Sequence, residues 1–272
     1  MSRVSRIFVY PIKSCRGIEV ASAELTVRGL RFDRRYMLVD SAGRFLTQRR
    51  HPKMALIEPV FTDDGYAINA PGRDPLRLPF GLVGTGHEVC SVRVWNDQVE
   101  ATLADPDTNI WFSEFMGFAC GLVYLGDDQH RPVTNEAAEF DDELGFGDGA
   151  PLLLISDASL DELNRRLPAP VGIERFRPNL VVSAGKPHAE DDWRTIEIGA
   201  TRLQVAWPCS RCILTTIDHR SGERDPNGEP LKTLSSYRRR GRAVYFGQNL
   251  IPRSLGMINV GAEFSIDEIM SP

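Results

Sequence analysis

Long apolar runs are missing from this 272-residue chain. The longest, such as Leu152–Ile155, are far too short to cross a bilayer as a helix. The start, Met-Ser-Arg-Val-Ser-Arg-Ile, has neither an apolar core nor a small-residue cleavage site, so no secretory leader or membrane segment is expected. Cysteine is scarce and odd in number. Five residues at irregular spacing do not make a disulfide framework, and a reducing, cytoplasmic setting is expected. Positive charge is also in deficit, with 32 Lys and Arg against 37 Asp and Glu and a net charge of −5. Nothing global therefore draws nucleic acid or an anionic membrane, and an anionic ligand must be met by a local cluster of Arg and Lys. There is no G-x-G-x-x-G, no Walker loop and no G-x-S-x-G elbow. The five histidines (His51, His87, His130, His188 and His219) stand alone and read as surface residues.

What is present is ordinary globular material, 42% hydrophobic and 25% charged. A chain of this size buries roughly three quarters of its extended surface and needs no staples. Over the first hundred residues short β-branched and aromatic segments alternate with turns: Arg6–Tyr10, Ser22–Val27, Tyr36–Asp40, Met54–Phe61, Tyr66–Asn69 and Ser91–Trp95. Asp64-Gly65 between two of them is a hairpin signal. A helix is predicted over Asp107–Met116, capped by Asp107 or Thr108, and a strand over Leu122–Leu125. Gly126 to Gly149 is polar and aperiodic, a length at which a loop is functional or poorly ordered, and a place for a domain boundary. A second helix follows over Ser156–Leu167 and a third over Leu231–Arg239. Strands are predicted at Asn179–Ser183, Thr195–Ile198, Arg202–Ala206, Cys212–Ile217, Val244–Phe246 and Glu263–Ile266. The fold class is mainly β, of barrel or sandwich type, with a few helices.

Pro208-Cys209-Ser210-Arg211-Cys212 is the sharpest local feature. A zinc half-site would need a second ligand pair, yet Cys15, Cys90 and Cys120 are scattered and no His falls at ligand spacing. A thioredoxin-type pair would need a helix directly after the strand, and Ile213-Leu214-Thr215-Thr216-Ile217 reads as strand. Two buried thiols acting as small hydrophobes remain an even alternative. Against that, Arg211 and nearby Arg220 favour a thiolate, and a single soft thiolate suits a soft or high-valent metal. Tyr10-Pro11-Ile12-Lys13-Ser14-Cys15-Arg16-Gly17 bends after a strand and leaves Lys13, Ser14 and backbone N–H groups free for an anion. Phe176-Arg177-Pro178-Asn179 offers a half-buried Arg in search of an acceptor, and Asp33-Arg34-Arg35-Tyr36 leads into a strand. The run Arg238-Arg239-Arg240-Gly241-Arg242 reads as a solvated helix end or a docking patch.

Taken together, Tyr-Pro-Ile-Lys-Ser-Cys-Arg-Gly, Asp-Arg-Arg-Tyr-Met-Leu-Val, Phe-Arg-Pro-Asn and Cys-Ser-Arg-Cys-Ile-Leu-Thr-Thr resemble the MOSC family. The likeness is to its branch with an N-terminal MOSC β-barrel domain, which includes the amidoxime-reducing components and their bacterial counterparts. It runs over nearly the whole chain, in order. The resemblance implies two β-rich domains, 1–121 and 122–272, with a molybdenum–pterin cofactor bound between them. It implies Cys212 as the protein ligand to molybdenum and Asp148 as a nearby acid. Lys13, Ser14, Arg35, Arg177, Asn179, Ser210 and Arg211 would hold the pterin and its phosphate. Cys209 matches a cysteine that is not the ligand. Gly149-Ala150 stands where the family often has small hydroxyl residues. The implied activity is reduction of hydroxylamines, amidoximes or N-hydroxylated bases. Electrons would come from a separate ferredoxin, cytochrome or flavin reductase, because no four cysteines are left for a 2Fe–2S cluster. The alternative is a carrier of sulfur on the same cysteine for cofactor or cluster assembly.

Overall fold

The structure, a computed structural model, describes residues 2–82, 88–183 and 185–269. His87 lies outside them. The fold is mainly β with three α-helices among the described residues, α1 (Pro106–Met116), α2 (Asp157–Arg166) and α3 (Leu231–Tyr237). No helix among these residues is long and apolar enough to cross a membrane.

The largest sheet draws strands from both ends of the chain. Its order is Phe264–Ile269, Trp193–Ile198, Thr201–Ser210, Ala243–Pro252, Leu152–Ser156, Leu180–Ser183, Arg3–Val9 and Ile18–Val20. The Leu152–Ser156 and Leu180–Ser183 pair is parallel, and α2 is the crossover. Both strands read as unbroken apolar runs because both of their faces are covered. A four-stranded sheet from the first half orders Tyr36–Asp40, Cys120–Tyr124, Asp97–Leu103 and Val89–Val94. The predicted hairpin forms, with Phe61 opposite Tyr66.

Three local expectations shift. The strand expected over Met54–Phe61 begins only at Glu58, because Pro52–Leu56 forms a 3-10 turn. Asp105, not Asp107 or Thr108, caps α1. Its carboxylate accepts from the Thr108 N–H, and Pro106 occupies the first helical position, where a missing N–H costs nothing. The third helix stops at Tyr237. Arg239–Arg240 turns back through Gly241 to pair with Ala243 and Val244, so the basic run caps the helix at Arg238 and continues as a hairpin. Arg238 is mostly buried against Asp191, while Arg239, Arg240 and Arg242 are exposed.

The long polar stretch has no helix or strand between Tyr124 and Leu152, yet two buried arginines pin it. Arg28 donates to Glu143 and to the carbonyls of Gly126, Asp127 and Gln129. Arg131, 2% exposed, donates to Asp97 and to the carbonyls of Gly145 and Gly147. Guanidinium forks replace the missing ladder and present Asp148 at a fixed place. Arg131→Ala is therefore expected to cost about 3 kcal/mol, because it strands one carboxylate and two carbonyls. Urea unfolding measures this, and a loss below about 1 kcal/mol, the worth of one ordinary hydrogen bond, would contradict it.

Candidate functional site

The strand Thr201–Ser210 carries the Cys-x-x-Cys segment to the site. Its pairing with Ala243–Pro252 slips between Val205 and Trp207 and again between Pro208 and Ser210. Such bulges bend a strand and re-aim its side chains. Beyond Ser210 the ladder ends, and Cys212 leads into a single 3-10 turn, Ile213–Thr216. The strand expected over Cys212–Ile217 is therefore absent. The hydroxyl of Thr215 donates to the Cys212 carbonyl at 3.0 Å and that of Thr216 to Ile213 at 2.7 Å, local bonds that compete with a ladder.

The bulged strand opens onto a cleft of about 560 Å³. Lys13, Ser14, Asp148, Arg177, Asn179, Ser210, Arg211 and Cys212 all line it. Arg35 does not. Its guanidinium donates to the Leu125 carbonyl and to Asp127, and lies over the Tyr124 ring. The residue before it, Arg34, faces the cleft instead, from the left-handed turn that precedes the strand. Arg34 donates to Asn179 Oδ1 at 3.0 Å and pairs with the buried Asp33. Asn179 is wholly buried, and its amide also serves the Leu153 N–H and the Phe8 carbonyl. It holds the floor of the cleft together.

The cations around Cys212 are also differently disposed from expectation. Arg211 donates to Cys209 Sγ at 2.9 Å and to the Phe176 carbonyl at 2.7 Å. Arg220 lines a separate cavity of about 250 Å³. The cation beside Cys212 is Arg49, with Nη1 3.6 Å from Sγ and 3.5 Å from Asp148 Oδ2. Arg177 donates to the Cys15 carbonyl, and its guanidinium lies 4.3 Å from the Tyr10 ring centroid. Burial and the charge of Arg34 press its pKa down to about 10.

Lys13 is 4% exposed and donates to the Phe146 carbonyl at 2.7 Å and to Asp148. Burial lowers its pKa to about 8, against the raising effect of Asp148. Asp148 is opposed by burial, but Lys13 and Arg49 hold it well below the usual carboxylate range. At pH 7 the pair is thus ammonium and carboxylate. In ligand-free protein, NMR of the Lys13 ammonium should follow a titration near pH 8, and Asp148→Asn should move it lower. A titration above pH 10 in the parent chain would remove this account of the site.

Among the described residues, six that are not glycine have left-handed backbone, and four of them line this cleft: Ser14, Arg34, Trp95 and Arg177. Strained backbone gathers where a surrounding structure over-determines it for function. Arg34 stands in the Asp33-Arg34-Arg35-Tyr36 segment beside the arginine expected at the site, whereas Arg49 and Trp95 carried no sequence signal of a site role. Arg49 sits in an unremarked Arg-Arg pair, and Trp95 reads as the end of a strand. Gly149 and Ala150 line the cleft as well, and a Cβ at Gly149 would meet nothing within 4 Å, so a hydroxyl residue would fit there.

The donor set suits an anionic group with a soft centre. Arg177 Nη2 and Arg211 Nε are buried and have no partner in the protein, and the Cys212 thiol lies beside the Arg49 guanidinium. Among the described residues no cluster of three or more His, Cys, Asp or Glu could hold a metal by itself, so a metal here would bring its own ligands. Two family models match the chain: the MOSC N-terminal beta barrel domain over residues 1–119 and the MOSC domain over 141–265. Mitochondrial amidoxime-reducing component 1 of Mus musculus is 34% identical over 95% of this chain and 80% of its own length. The Homo sapiens protein of that name is 33% identical over 95% of this chain and 81% of its own. Molybdenum cofactor sulfurase of Oryza sativa subsp. japonica is 34% identical over 89% of this chain, but only 31% of the rice protein is covered.

Proposed function

The chain belongs to the MOSC family, and on that premise we propose that its cleft binds a molybdenum–pterin cofactor with Cys212 as the protein ligand to the metal. The loaded chain would reduce N-hydroxylated compounds: hydroxylamines, amidoximes and N-hydroxylated bases. One observation carries the reading. Arg177 and Arg211, each with one buried guanidinium nitrogen left without a partner (Nη2 and Nε), line the same cleft as a thiol that faces a cation. Lys13, Ser14, Arg34, Arg177, Ser210 and Arg211 would hold the pterin and its phosphate, with Arg34 in the role first expected of Arg35.

When bound, the cofactor supplies two-electron chemistry, so that N–OH with two electrons and two protons becomes N–H and water. The protein's share is position and proton supply. Lys13 Nζ, fixed by the Phe146 carbonyl and Asp148, holds a proton that it can release near neutral pH. Asp148 stays ionised and keeps that ammonium turned toward the cleft. Asn179 and Tyr10 keep Arg34 and Arg177 in place when the site is empty of counter-charge.

Electrons would reach the site from a separate donor protein, because the chain has no dinucleotide fingerprint. NADH alone should give no turnover of a hydroxylamine with this chain, whereas dithionite or a reduced viologen should support it. The test of the whole reading is metal and pterin analysis of protein made in a host that synthesises the cofactor, beside protein from a host that cannot. A molybdenum atom for each chain in the first and none in the second is expected. Protein without pterin but with extra sulfur on Cys212 would instead establish the sulfur-carrying role.

A further inference from the structure

Arg49, Trp95 and Asp148 meet beside the Cys212 sulfur from segments far apart in sequence. Arg49 bridges Cys212 Sγ at 3.6 Å and Asp148 Oδ2 at 3.5 Å through one nitrogen. Its guanidinium lies 4.4 Å from the Trp95 ring centroid. The indole Nε1 of Trp95 donates to Asp148 Oδ1 at 3.3 Å, and Phe45 packs against the indole at 5.1 Å between centroids. Lys13 secures Asp148 from behind.

Trp95 is the odd member. It occupies a two-residue hairpin loop between Val94 and Asp97 with φ of 56°, a conformation bulky residues avoid, and it remains 42% exposed. Burial does not explain a tryptophan there, since nearly half of its surface stays wet. Its gains are the face it offers to Arg49 and the N–H it gives to Asp148. Both fix the same guanidinium: one from above, the other through the carboxylate that shares its nitrogen.

The geometry points to Trp95 as a positioning residue that clamps Arg49 as hydrogen-bond donor to the Cys212 sulfur. This inference rests on the cofactor reading above for its consequence, which is that the donor sets the electron richness of the metal's thiolate. A planar guanidinium is suited to the task because it can stack and donate together, which an ammonium cannot do as well. An N–H donated to a ligating sulfur withdraws electron density, and hydrogen bonding around a cysteine sulfur is an established lever on metal potential. Removing the donor therefore shifts the potential in the negative direction.

The clamp is tested first in cofactor-free protein. The side-chain N–H resonances of Arg49 should move on Cys212→Ala and on Trp95→Leu, and stay in place on Cys209→Ser. The consequence is tested by redox titration of loaded protein with its metal content measured alongside. Arg49→Met should shift the midpoint potential negative with metal content unchanged, and Arg49→Lys should recover part of the shift. Trp95→Leu should move it the same way by less, and Trp95→Leu with Arg49→Met no further than Arg49→Met alone. An unmoved potential in Arg49→Met, additive shifts in the double variant, or loss of the metal from Arg49→Met would each overturn the assignment. Absence of molybdenum from the parent chain would be a failure of the cofactor reading, and the resonance experiment would still decide the clamp.

Discussion

Cys212→Ser is expected to reduce dithionite-driven turnover to background, whereas Cys209→Ser keeps most of it. The two thiols are three residues apart and both are half-buried, so accessibility does not separate them. Their surroundings do. Cys209 lies on the bulged strand, packs against the cluster around Phe176 and Phe246, and accepts from Arg211, a set of contacts that a structural thiol makes. Cys212 is placed past the end of the ladder, where its sulfur faces Arg49 across open cleft. Serine offers a hard oxygen that stays protonated at neutral pH, a poor exchange for a thiolate on a soft or high-valent metal. The loss should exceed the roughly 10- to 100-fold that follows from removing a ligand's hydrogen-bond partner, because here the ligand itself goes. Equal loss in both variants, with molybdenum retained in Cys212→Ser, would exclude Cys212 as the ligand.

The same segment marks how far the sequence could be read. The residue types in Cys-Ser-Arg-Cys pointed to a site, and Lys13, Arg177 and Asp148, which line the same cleft, were expected from their neighbours in sequence and from resemblance. The partner of the thiol was not. Arg49 reaches Cys212 across 163 residues, and a long-range contact of that kind leaves no periodic trace in a chain. Whether Arg34 or Arg35 faces the cleft depends on where the strand begins and on the left-handed turn at Arg34 itself. The run Ile213–Ile217 has the composition of a strand. Two threonine hydroxyls that fold back on carbonyls three residues earlier make it a 3-10 turn. Mainly β structure, the 64–65 hairpin and α2 were all visible, because alternation and helical periodicity are local properties.

Arg177→Met is expected to weaken cofactor binding and to leave the cofactor-free protein at least as stable as the parent. The two expectations come from one cause. Arg177 and Arg34 both lie over the Tyr10 ring, 4.3 and 4.7 Å from its centroid, and Asp33 pairs with only one of them. Burial and mutual repulsion thus act on a charge whose Nη2 has no acceptor in the protein. A half-buried charge without adequate compensation weighs against the fold, and an apolar chain of similar length relieves it. On the proposed reading a bound phosphate would reverse the balance, because it would give the unpaired N–H an anionic acceptor. A charge-assisted bond of roughly 1.5–3 kcal/mol then disappears in the variant, which is about 10- to 100-fold in affinity. Arg177→Glu should bind less cofactor again, since it adds repulsion where Met adds none. Pterin content after purification and thermal unfolding of cofactor-free protein measure the two sides separately. Full pterin content in both variants would place the phosphate elsewhere in the cleft. A marked fall in the stability of cofactor-free Arg177→Met would mean that the bond to the Cys15 carbonyl and the stacking on Tyr10 outweigh the cost of the half-buried charge, so that Arg177 serves the fold first.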